Sequence, residues 1–207
     1  MNILDRDFYI RDTITVSKEL LGKVLVHQTA EYTVTGRIVE TEAYLGPEDK
    51  AAHSHGGKVT PRVEIMYNQG GYSYIFTIYG MYQCFNIVAE KQGTPQAVLV
   101  RALEPVDNLA FMALRRFNKA YPELTSKEIK LLTNGPGKLC IAMDLGKIQN
   151  KIDLCVRNGI DDIYVYDDGY KDFKMEASPR INIDYAEEYV DKPWRFTIKG
   201  NKFVSRK

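Results

Sequence analysis

The sequence is poor in the residues that form disulfide frameworks and metal centres. Its 207 residues include three cysteines and three histidines. The cysteines Cys84, Cys140 and Cys155 are odd in number, widely spaced and without a CxxC pair. This pattern argues against a disulfide framework and against a thiolate-rich zinc site, so we expect three free thiols.

Long hydrophobic runs and an export signal are also missing. No apolar run approaches the roughly 20 residues that a membrane-spanning helix needs. The first six residues have neither the basic start nor the apolar core of a signal peptide. We therefore expect a soluble, cytoplasmic protein that does not bind membranes.

An excess of charge of one sign is absent. Lysine and arginine number 28 and aspartate and glutamate 27, for a net charge of +1. Proteins that coat nucleic acid usually show a clear excess of lysine and arginine. The charge therefore disfavours a general nucleic-acid coat, but it neither requires nor excludes DNA as a partner.

The remaining composition is that of an ordinary globular protein, with 44% hydrophobic and 27% charged residues. A chain of this length can bury one sizeable core, so we expect a single domain over residues 1–207. Strand patterns dominate, and the last third has them near Ile163–Tyr166, Ile181–Ile183 and Trp194–Ile198. The pattern predicts an α+β fold, with a largely antiparallel mixed sheet, peripheral helices and a protruding aromatic β-hairpin.

Residues 37–54 contain the densest polar chemistry, because an apolar strand there ends in carboxylates. On an extended strand Glu40 and Glu42 point to the same side. At least one of them must face a wet cleft or a buried polar site. Gly46-Pro47 then turns the chain, and the polar loop that follows carries His53. A solvated strand end with an acidic loop is the simpler interpretation of isolated glutamates.

The segment Tyr72–Val88 is strongly strand-forming on both sides of Gly80. It predicts a β-hairpin with Tyr79, Gly80 and Met81 near the tip. Aromatic hairpins usually belong to a sheet core, but a large ring at the tip has no core to enter.

Arg101 interrupts the apolar strand Ala97–Leu103, which Glu104-Pro105 is expected to end. Burying a guanidinium without a partner is costly. Arg101 therefore needs a carboxylate, a phosphate or a substrate beside it.

Several of these segments occur in the same order in one known family. The motifs are RIVETEAYLGPED at 37–49, AAHS at 51–54, IYGMY at 78–82, RALEP at 101–105 and NGP at 134–136. The match extends from the first helix to KPWRF at 192–196. On these residues the chain closely resembles the alkyladenine DNA glycosylases, also called 3-methyladenine or methylpurine DNA glycosylases.

The resemblance implies a monofunctional enzyme that flips a damaged purine nucleotide out of double-stranded DNA and hydrolyses its N-glycosidic bond, leaving an abasic site. The implied substrates are of the 3-methyladenine, 7-methylguanine, hypoxanthine and ethenoadenine class. It also implies a monomer, located at the nucleoid, that needs neither a cofactor nor a metal.

The resemblance assigns roles by position. The groups near the attacking water are Glu42, which is the general base, Arg101 and the backbone of Ile181. The residues that bind the flipped base are Tyr44, His53 and Phe76, which stack on it, and Asn86, which acts as gatekeeper. Tyr79 is the side chain that fills the space left in the base stack. A carboxylate facing a cleft, an arginine within a strand and an exposed aromatic at a hairpin tip are also what base flipping requires.

The chain departs from the family pattern at two places. Phe76 stands where the family commonly has tyrosine, which keeps the aromatic face but removes a hydroxyl and leaves the damage preference open. Val63-Glu64-Ile65 follows Thr60-Pro61-Arg62 where a more polar run is expected, which leaves the contacts of that loop open.

Two other functions compete with this one. A metal-dependent hydrolase would use Glu40, Glu42, Asp49 and His53, but no HxxxH or comparable pair of ligands occurs. A noncatalytic nucleic-acid-binding module would use the aromatic hairpin as a stacking platform. Glu42 separates these functions, since a module that only binds DNA has no use for a carboxylate near phosphates.

Overall fold

Runs of aromatic and β-branched residues give the structure one antiparallel sheet. The computed structural model describes residues 2–205 and contains nine strands and five α-helices over that range. The strands are β1 (Asn2–Ile3), β2 (Val24–Thr29), β3 (Thr33–Tyr44), β4 (Ser73–Ile78), β5 (Tyr82–Ala89), β6 (Gln96–Asp107), β7 (Asp161–Asp167), β8 (Met175–Ser178) and β9 (Arg195–Ile198). Their pairings are antiparallel. The α+β fold that the sequence predicts is therefore confirmed.

The helices are short and lie around the sheet. They are α1 (Arg6–Tyr9), α2 (Thr13–Glu19), α3 (Leu109–Phe117), α4 (Ser126–Lys130) and α5 (Pro136–Ala142). Val16 of α2, Met112 of α3 and Leu139 of α5 are fully buried and join Phe85 and Leu103 of the sheet in the main core. Within residues 2–205, no helix is long and apolar enough to cross a membrane.

The central strand β3 carries the two glutamates into the most enclosed part of the sheet. The strands follow the order β1-β7-β2-β3-β6-β5-β4. One edge of β3 pairs first with β2 and then, over Glu40–Glu42, with β9, while β6 follows the other edge. Both glutamates are 0% exposed. They are therefore not part of a solvated strand end.

A change of register between β3 and β6 redirects Arg101. Between Glu40 and Thr41 the partner on β6 moves by two residues, from Ala102 to Val100. Arg101 is thus the additional residue of a β-bulge, a feature that bends a strand and changes the direction of a side chain. This local irregularity brings the guanidinium to the glutamates of β3.

Two predictions about strands are wrong, one about a strand's existence and one about where a strand ends. Ile181–Ile183 is an irregular loop rather than a strand, and Asn182 within it has a φ of 60°. The backbone N–H of Ile181 bonds to a side chain instead of a neighbouring strand. Glu104-Pro105 does not end β6, which continues beyond it. Because β5 pairs with β6 only over residues 96–99, Pro105 lies on a half of β6 that β5 leaves uncovered, where proline is tolerated.

Candidate active site

Arg101 lies between two buried carboxylates. Its Nε is 3.2 Å from Oε1 of Glu40, and its Nη1 is 3.3 Å from Oε2 of Glu42. Burial alone would lower the pKa of Arg101, but the charges of Glu42 and Glu40 outweigh burial and hold that pKa above its ordinary value. The partner that this arginine requires is therefore a pair of carboxylates.

Glu40 is held by four hydrogen-bond donors. Besides Arg101, Arg195 donates through Nε at 2.7 Å, and Ser205 donates through its hydroxyl at 2.9 Å and its backbone N–H at 2.7 Å. A carboxylate offers about four acceptor sites. Of the four donors that meet Glu40, three address Oε1 and one addresses Oε2. Glu40 thereby joins β3 to β9 and to Ser205.

Glu42 meets three donors and keeps an acceptor site on Oε1. Oε1 accepts the backbone N–H of Ile181 at 2.8 Å, and Oε2 accepts the Tyr44 hydroxyl at 2.9 Å in addition to Arg101. Burial and the charge of Glu42 raise the pKa of Tyr44 well above its ordinary value, so its phenol stays a donor. Three donors occupy three of about four sites. The remaining site, on Oε1, can hold a water.

A second buried ion pair fixes the loop that contacts Glu42. The side chains of Arg180 and Asp49 are both 0% exposed, and two hydrogen bonds of 2.5 and 2.8 Å join them. The Arg180 guanidinium also lies 4.7 Å from the centre of the Tyr44 ring. Because Ile181 directly follows Arg180, this pair determines where the Ile181 N–H meets Glu42.

A cavity of about 350 Å³ opens beside these groups. Seven predicted site residues line it: Tyr44, His53, Phe76, Tyr79, Asn86, Arg101 and Ile181. Glu42 lies immediately behind the wall, since its three hydrogen-bond partners are all lining residues. The structure thus brings the eight predicted site residues together.

An aromatic corner forms one wall of the cavity. The ring centre of Phe76 is 4.4 Å from that of His53 and 5.4 Å from that of Tyr74. The Tyr74 hydroxyl is 2.7 Å from Nδ1 of His53. Tyr74 is not among the predicted site residues, but its position two residues before Phe76 on β4 puts both side chains on one face. That spacing is the sequence signal that would have identified it.

His53 has a neutral ring of defined tautomer. Burial, followed by the charge of Arg62, lowers the pKa of His53 to about 4. Arg62 Nη2 lies 3.4 Å from Nε2 of His53. Because a guanidinium has donors only, Nε2 is the acceptor and Nδ1 carries the proton. The cavity therefore has an uncharged imidazole in its wall.

Asn86 contributes an oriented amide. Its Nδ2 donates to the carbonyl oxygens of Tyr74 and Cys84, at 2.9 and 3.3 Å. These bonds use both N–H donors of the side chain. The amide oxygen is then the polar group of Asn86 available to a ligand in the cavity.

Tyr79 occupies the turn between β4 and β5. Tyr79 and Gly80 have φ values of 50° and 71°, both in the left-handed region, and the Met81 N–H donates to the Ile78 carbonyl oxygen at 3.2 Å to close the turn. Gly80 tolerates this conformation without cost. The Tyr79 side chain is 78% exposed. It projects from the hairpin although it also borders the cavity.

The segment Val63-Glu64-Ile65 supports the aromatic wall. Val63 and Ile65 are buried and pack in one cluster with Tyr74, while Glu64 pairs with Lys151 at the surface. The apolar residues in this loop are thus explained by packing behind the cavity. At Phe76, the Arg62 guanidinium lies 5.0 Å from the ring centre.

The side chains of the metal-hydrolase hypothesis do not form a ligand set. Glu40, Glu42 and Asp49 are each bonded to a buried arginine, and His53 is bonded to a tyrosine. Over residues 2–205, no group of three histidine, cysteine, aspartate or glutamate side chains is arranged to hold a metal ion.

Comparisons with known proteins agree on one family. The family model described as methylpurine-DNA glycosylase (MPG) matches residues 7–202. A protein of Alkaliphilus oremlandii is 52% identical over 204 residues, which cover 99% of each chain. Proteins of Desulfitobacterium hafniense and Clostridium novyi are 51% and 52% identical over 207 residues, covering 100% of each chain. All three carry the name "Putative 3-methyladenine DNA glycosylase".

We predict that His53 stays neutral down to about pH 4, because burial and Arg62 lower the pKa of its ring to about 4. An NMR titration of the histidine rings, with His53 assigned through a His53→Gln variant, measures this value. A His53 ring that titrates near the ordinary pKa of about 6.5 would contradict the geometry described.

The same pKa links His53 to stability. The unfolded chain binds this proton near pH 6.5, the ordinary value, whereas the folded chain binds it only near pH 4. The contribution of neutral His53 is therefore complete above about pH 6.5 and is lost as the pH falls towards about 4. Urea unfolding at about pH 7 and about pH 5 should show a smaller loss of unfolding free energy in His53→Gln than in the wild type.

Proposed function

Because this chain belongs to the methylpurine-DNA glycosylase family, we propose that it hydrolyses the N-glycosidic bond of alkylated purines in double-stranded DNA, 3-methyladenine among them. The product is DNA with an abasic site. The observation that carries this proposal is the environment of Glu42, a buried carboxylate with one acceptor site left at the edge of an aromatic cavity.

Glu42 serves as the general base. Cleavage of a glycosidic bond develops positive charge on the sugar, and a carboxylate can both stabilise that charge and take the proton of the attacking water. Arg101 and the Ile181 N–H both donate to the carboxylate and fix its direction. Glu40, which also accepts from Arg195 and Ser205, keeps Arg101 in place.

The cavity receives the flipped base. Its volume of about 350 Å³ lies within the range of about 300–1,000 Å³ usual for small-molecule sites. Alkylation at a ring nitrogen gives a purine nucleotide a positive charge, which aromatic faces attract. A neutral His53 adds no repulsion to such a base. One chain supplies all of these groups, so we propose that the protein acts as a monomer.

Two alternatives predict different chemistry. A lysine nucleophile would form a Schiff base with the sugar and go on to nick the strand, yet the cavity lining described above includes no lysine. A noncatalytic binding module would gain nothing from burying Glu42 beside a base pocket. Base release therefore distinguishes the proposed enzyme from a module that only binds DNA.

Replacing Glu42 by glutamine should lower single-turnover base release by ~10²- to 10⁴-fold, the usual effect of losing a positioned general base. DNA binding should stay near the wild-type level. Glutamine places an N–H₂ among groups that are all donors, so thermal unfolding must confirm that the variant is folded. The matched control is Glu48→Gln, the same change at an exposed position of the same segment.

Two results would reject this mechanism. One is base release by Glu42→Gln within a fewfold of the wild type. The other is a protein–DNA adduct of the wild type that borohydride traps, since that adduct requires an amine nucleophile.

We propose that Tyr79 enters the base stack when the nucleotide leaves it. Unstacking a base costs a few kcal/mol, and an exposed ring on a rigid turn can replace part of the lost stacking. Tyr79→Ser should therefore reduce nucleotide extrusion, measured with a fluorescent base analogue opposite the lesion. Tyr170→Ser, at another partly exposed aromatic, is the control. Equal extrusion by Tyr79→Ser and the wild type would remove this role.

We propose that Asn86 excludes normal guanine, because its side chain clashes with the exocyclic amino group of guanine, a group that adenine-derived lesions lack. The substrate range then includes hypoxanthine and ethenoadenine besides 3-methyladenine, and 7-methylguanine, which keeps that amino group, should be released more slowly than these. Base release from oligonucleotides with each lesion tests the range. Asn86→Ser should accept guanine and its derivatives more readily, and unchanged rates on these bases would contradict a gate at Asn86.

A further inference from the structure

Two aromatic rings of the cavity wall each lie against a guanidinium. The central carbon of the Arg180 guanidinium is 4.7 Å from the centre of the Tyr44 ring, and that of Arg62 is 5.0 Å from the centre of the Phe76 ring. Tyr44 and Phe76 line the cavity, whereas Arg180 and Arg62 do not. The rings therefore separate both guanidinium groups from the space that a flipped base would occupy.

The two guanidinium groups differ in their counterions. Arg180 forms two hydrogen bonds with Asp49, and both side chains are fully buried. Arg62 is exposed, and over residues 2–205 no carboxylate oxygen lies within 4.0 Å of its nitrogens. The acidic residue nearest to it in sequence, Glu64, pairs with Lys151 instead. The charge behind the Tyr44 ring is therefore balanced, and the charge behind the Phe76 ring is not.

The aromatic corner holds Arg62 in this position. Val63, the next residue, is buried, and its backbone N–H donates to the Thr60 carbonyl oxygen at 3.0 Å. Nη2 of Arg62 lies 3.4 Å from Nε2 of His53. After burial, the charge of Arg62 is the second cause that lowers the pKa of His53, and it opposes the rise in the pKa of Tyr74 that burial causes. The charge of Arg62 thus acts on two groups that line the cavity.

A charge at this position acts differently on cationic and neutral bases. A base in van der Waals contact with the cavity face of Phe76 would lie about 4 Å from that ring and therefore about 9 Å from the Arg62 guanidinium. A purine alkylated at a ring nitrogen carries a positive charge in the nucleotide, so Arg62 repels it. A neutral purine is not repelled. It gains negative charge as the glycosidic bond breaks, and a nearby cation stabilises that charge.

We propose that Arg62 is a specificity-determining residue, whose charge biases the cavity towards neutral damaged purines and against cationic ones. The inference rests on the proposed function, since it needs a damaged base against Phe76. Repulsion of the bound cation and stabilisation of the departing anion change the selectivity in the same direction. Removal of the Arg62 charge should therefore alter the ratio of two rates.

The test compares release of 7-methylguanine, which is cationic in the nucleotide, with release of hypoxanthine, which is neutral. Both are 6-oxopurines, and single-turnover rates at enzyme concentrations below saturation give the ratio of kcat/KM values that defines selectivity. Arg62→Gln should raise the ratio of 7-methylguanine to hypoxanthine release by about 3- to 10-fold, as expected for one partly screened charge at this distance. Work at about pH 8, above the ordinary histidine pKa of about 6.5, keeps His53 neutral in every variant.

Further variants separate the charge of Arg62 from its contacts. Arg62→Lys keeps the charge and should keep the wild-type ratio, whereas Arg62→Met removes the charge and should shift the ratio as Arg62→Gln does. The matched control is Arg157→Gln, because Arg157 is also exposed and its guanidinium lies 4.6 Å from the centre of the Tyr164 ring, outside the cavity. This control should leave the ratio unchanged. The shift in the neutral variants should shrink as salt rises, since salt screens exposed charges.

Three results would overturn the role of Arg62 while the proposed function stands. The first is an equal change in the release of both bases by Arg62→Gln, because a phosphate contact or a folding defect acts on all bases alike. The second is a shift in Arg62→Lys as large as that in Arg62→Gln, which would assign the effect to shape. The third is a wild type that releases 7-methylguanine but neither hypoxanthine nor ethenoadenine. If the wild type releases none of these bases, the proposed function is wrong as well.

Discussion

The buried contact between Arg101 and the two glutamates of β3 is the constraint that orders the rest of the site. Three charges in a sheet interior are costly unless each is paired and hydrogen-bonded. A β-bulge redirects Arg101, β9 covers Glu40–Glu42, and Ser205 caps Glu40. Each of these features positions, covers or hydrogen-bonds a charge of this cluster. Catalysis by Glu42 would depend on this contact, since a general base must be held in a fixed direction before a substrate arrives.

The two glutamates divide the structural and chemical requirements between them. Glu40 is bonded to two arginines and to Ser205 and so anchors the cluster. Glu42 meets three donors and retains one acceptor site, which suits it for a water. Glu40 holds Arg101 in position, and the Asp49–Arg180 pair likewise holds the loop in position. This pair places the Ile181 N–H against Glu42. Glu40, Asp49 and Arg180, which do not line the cavity, thus determine the geometry of Glu42.

Local patterns in the sequence predict much of the fold and of the site. Strand-forming runs predict the sheet, and the spacing of Glu40 and Glu42 predicts that they point to the same side. Arg101 within an apolar run predicts a carboxylate, a phosphate or a substrate as its partner. Features that depend on distant pairing were not predictable. The bulge at Arg101 needs two strands in register, and the loop at Ile181–Ile183 is apolar enough to look like a strand. The pairing of Arg180 with Asp49 joins residues far apart in the chain and has no local signal.

We propose above all that Glu42 stabilises the positive charge that develops on the sugar. The most direct test compares the affinities of two duplexes in which the sugar ring at the target nucleotide is replaced by a cationic pyrrolidine or by a neutral tetrahydrofuran. A site complementary to the transition state binds its mimic more tightly. We expect that the wild type prefers the cationic ring and that Glu42→Gln loses this preference. Equal affinity of the wild type for both duplexes would contradict it.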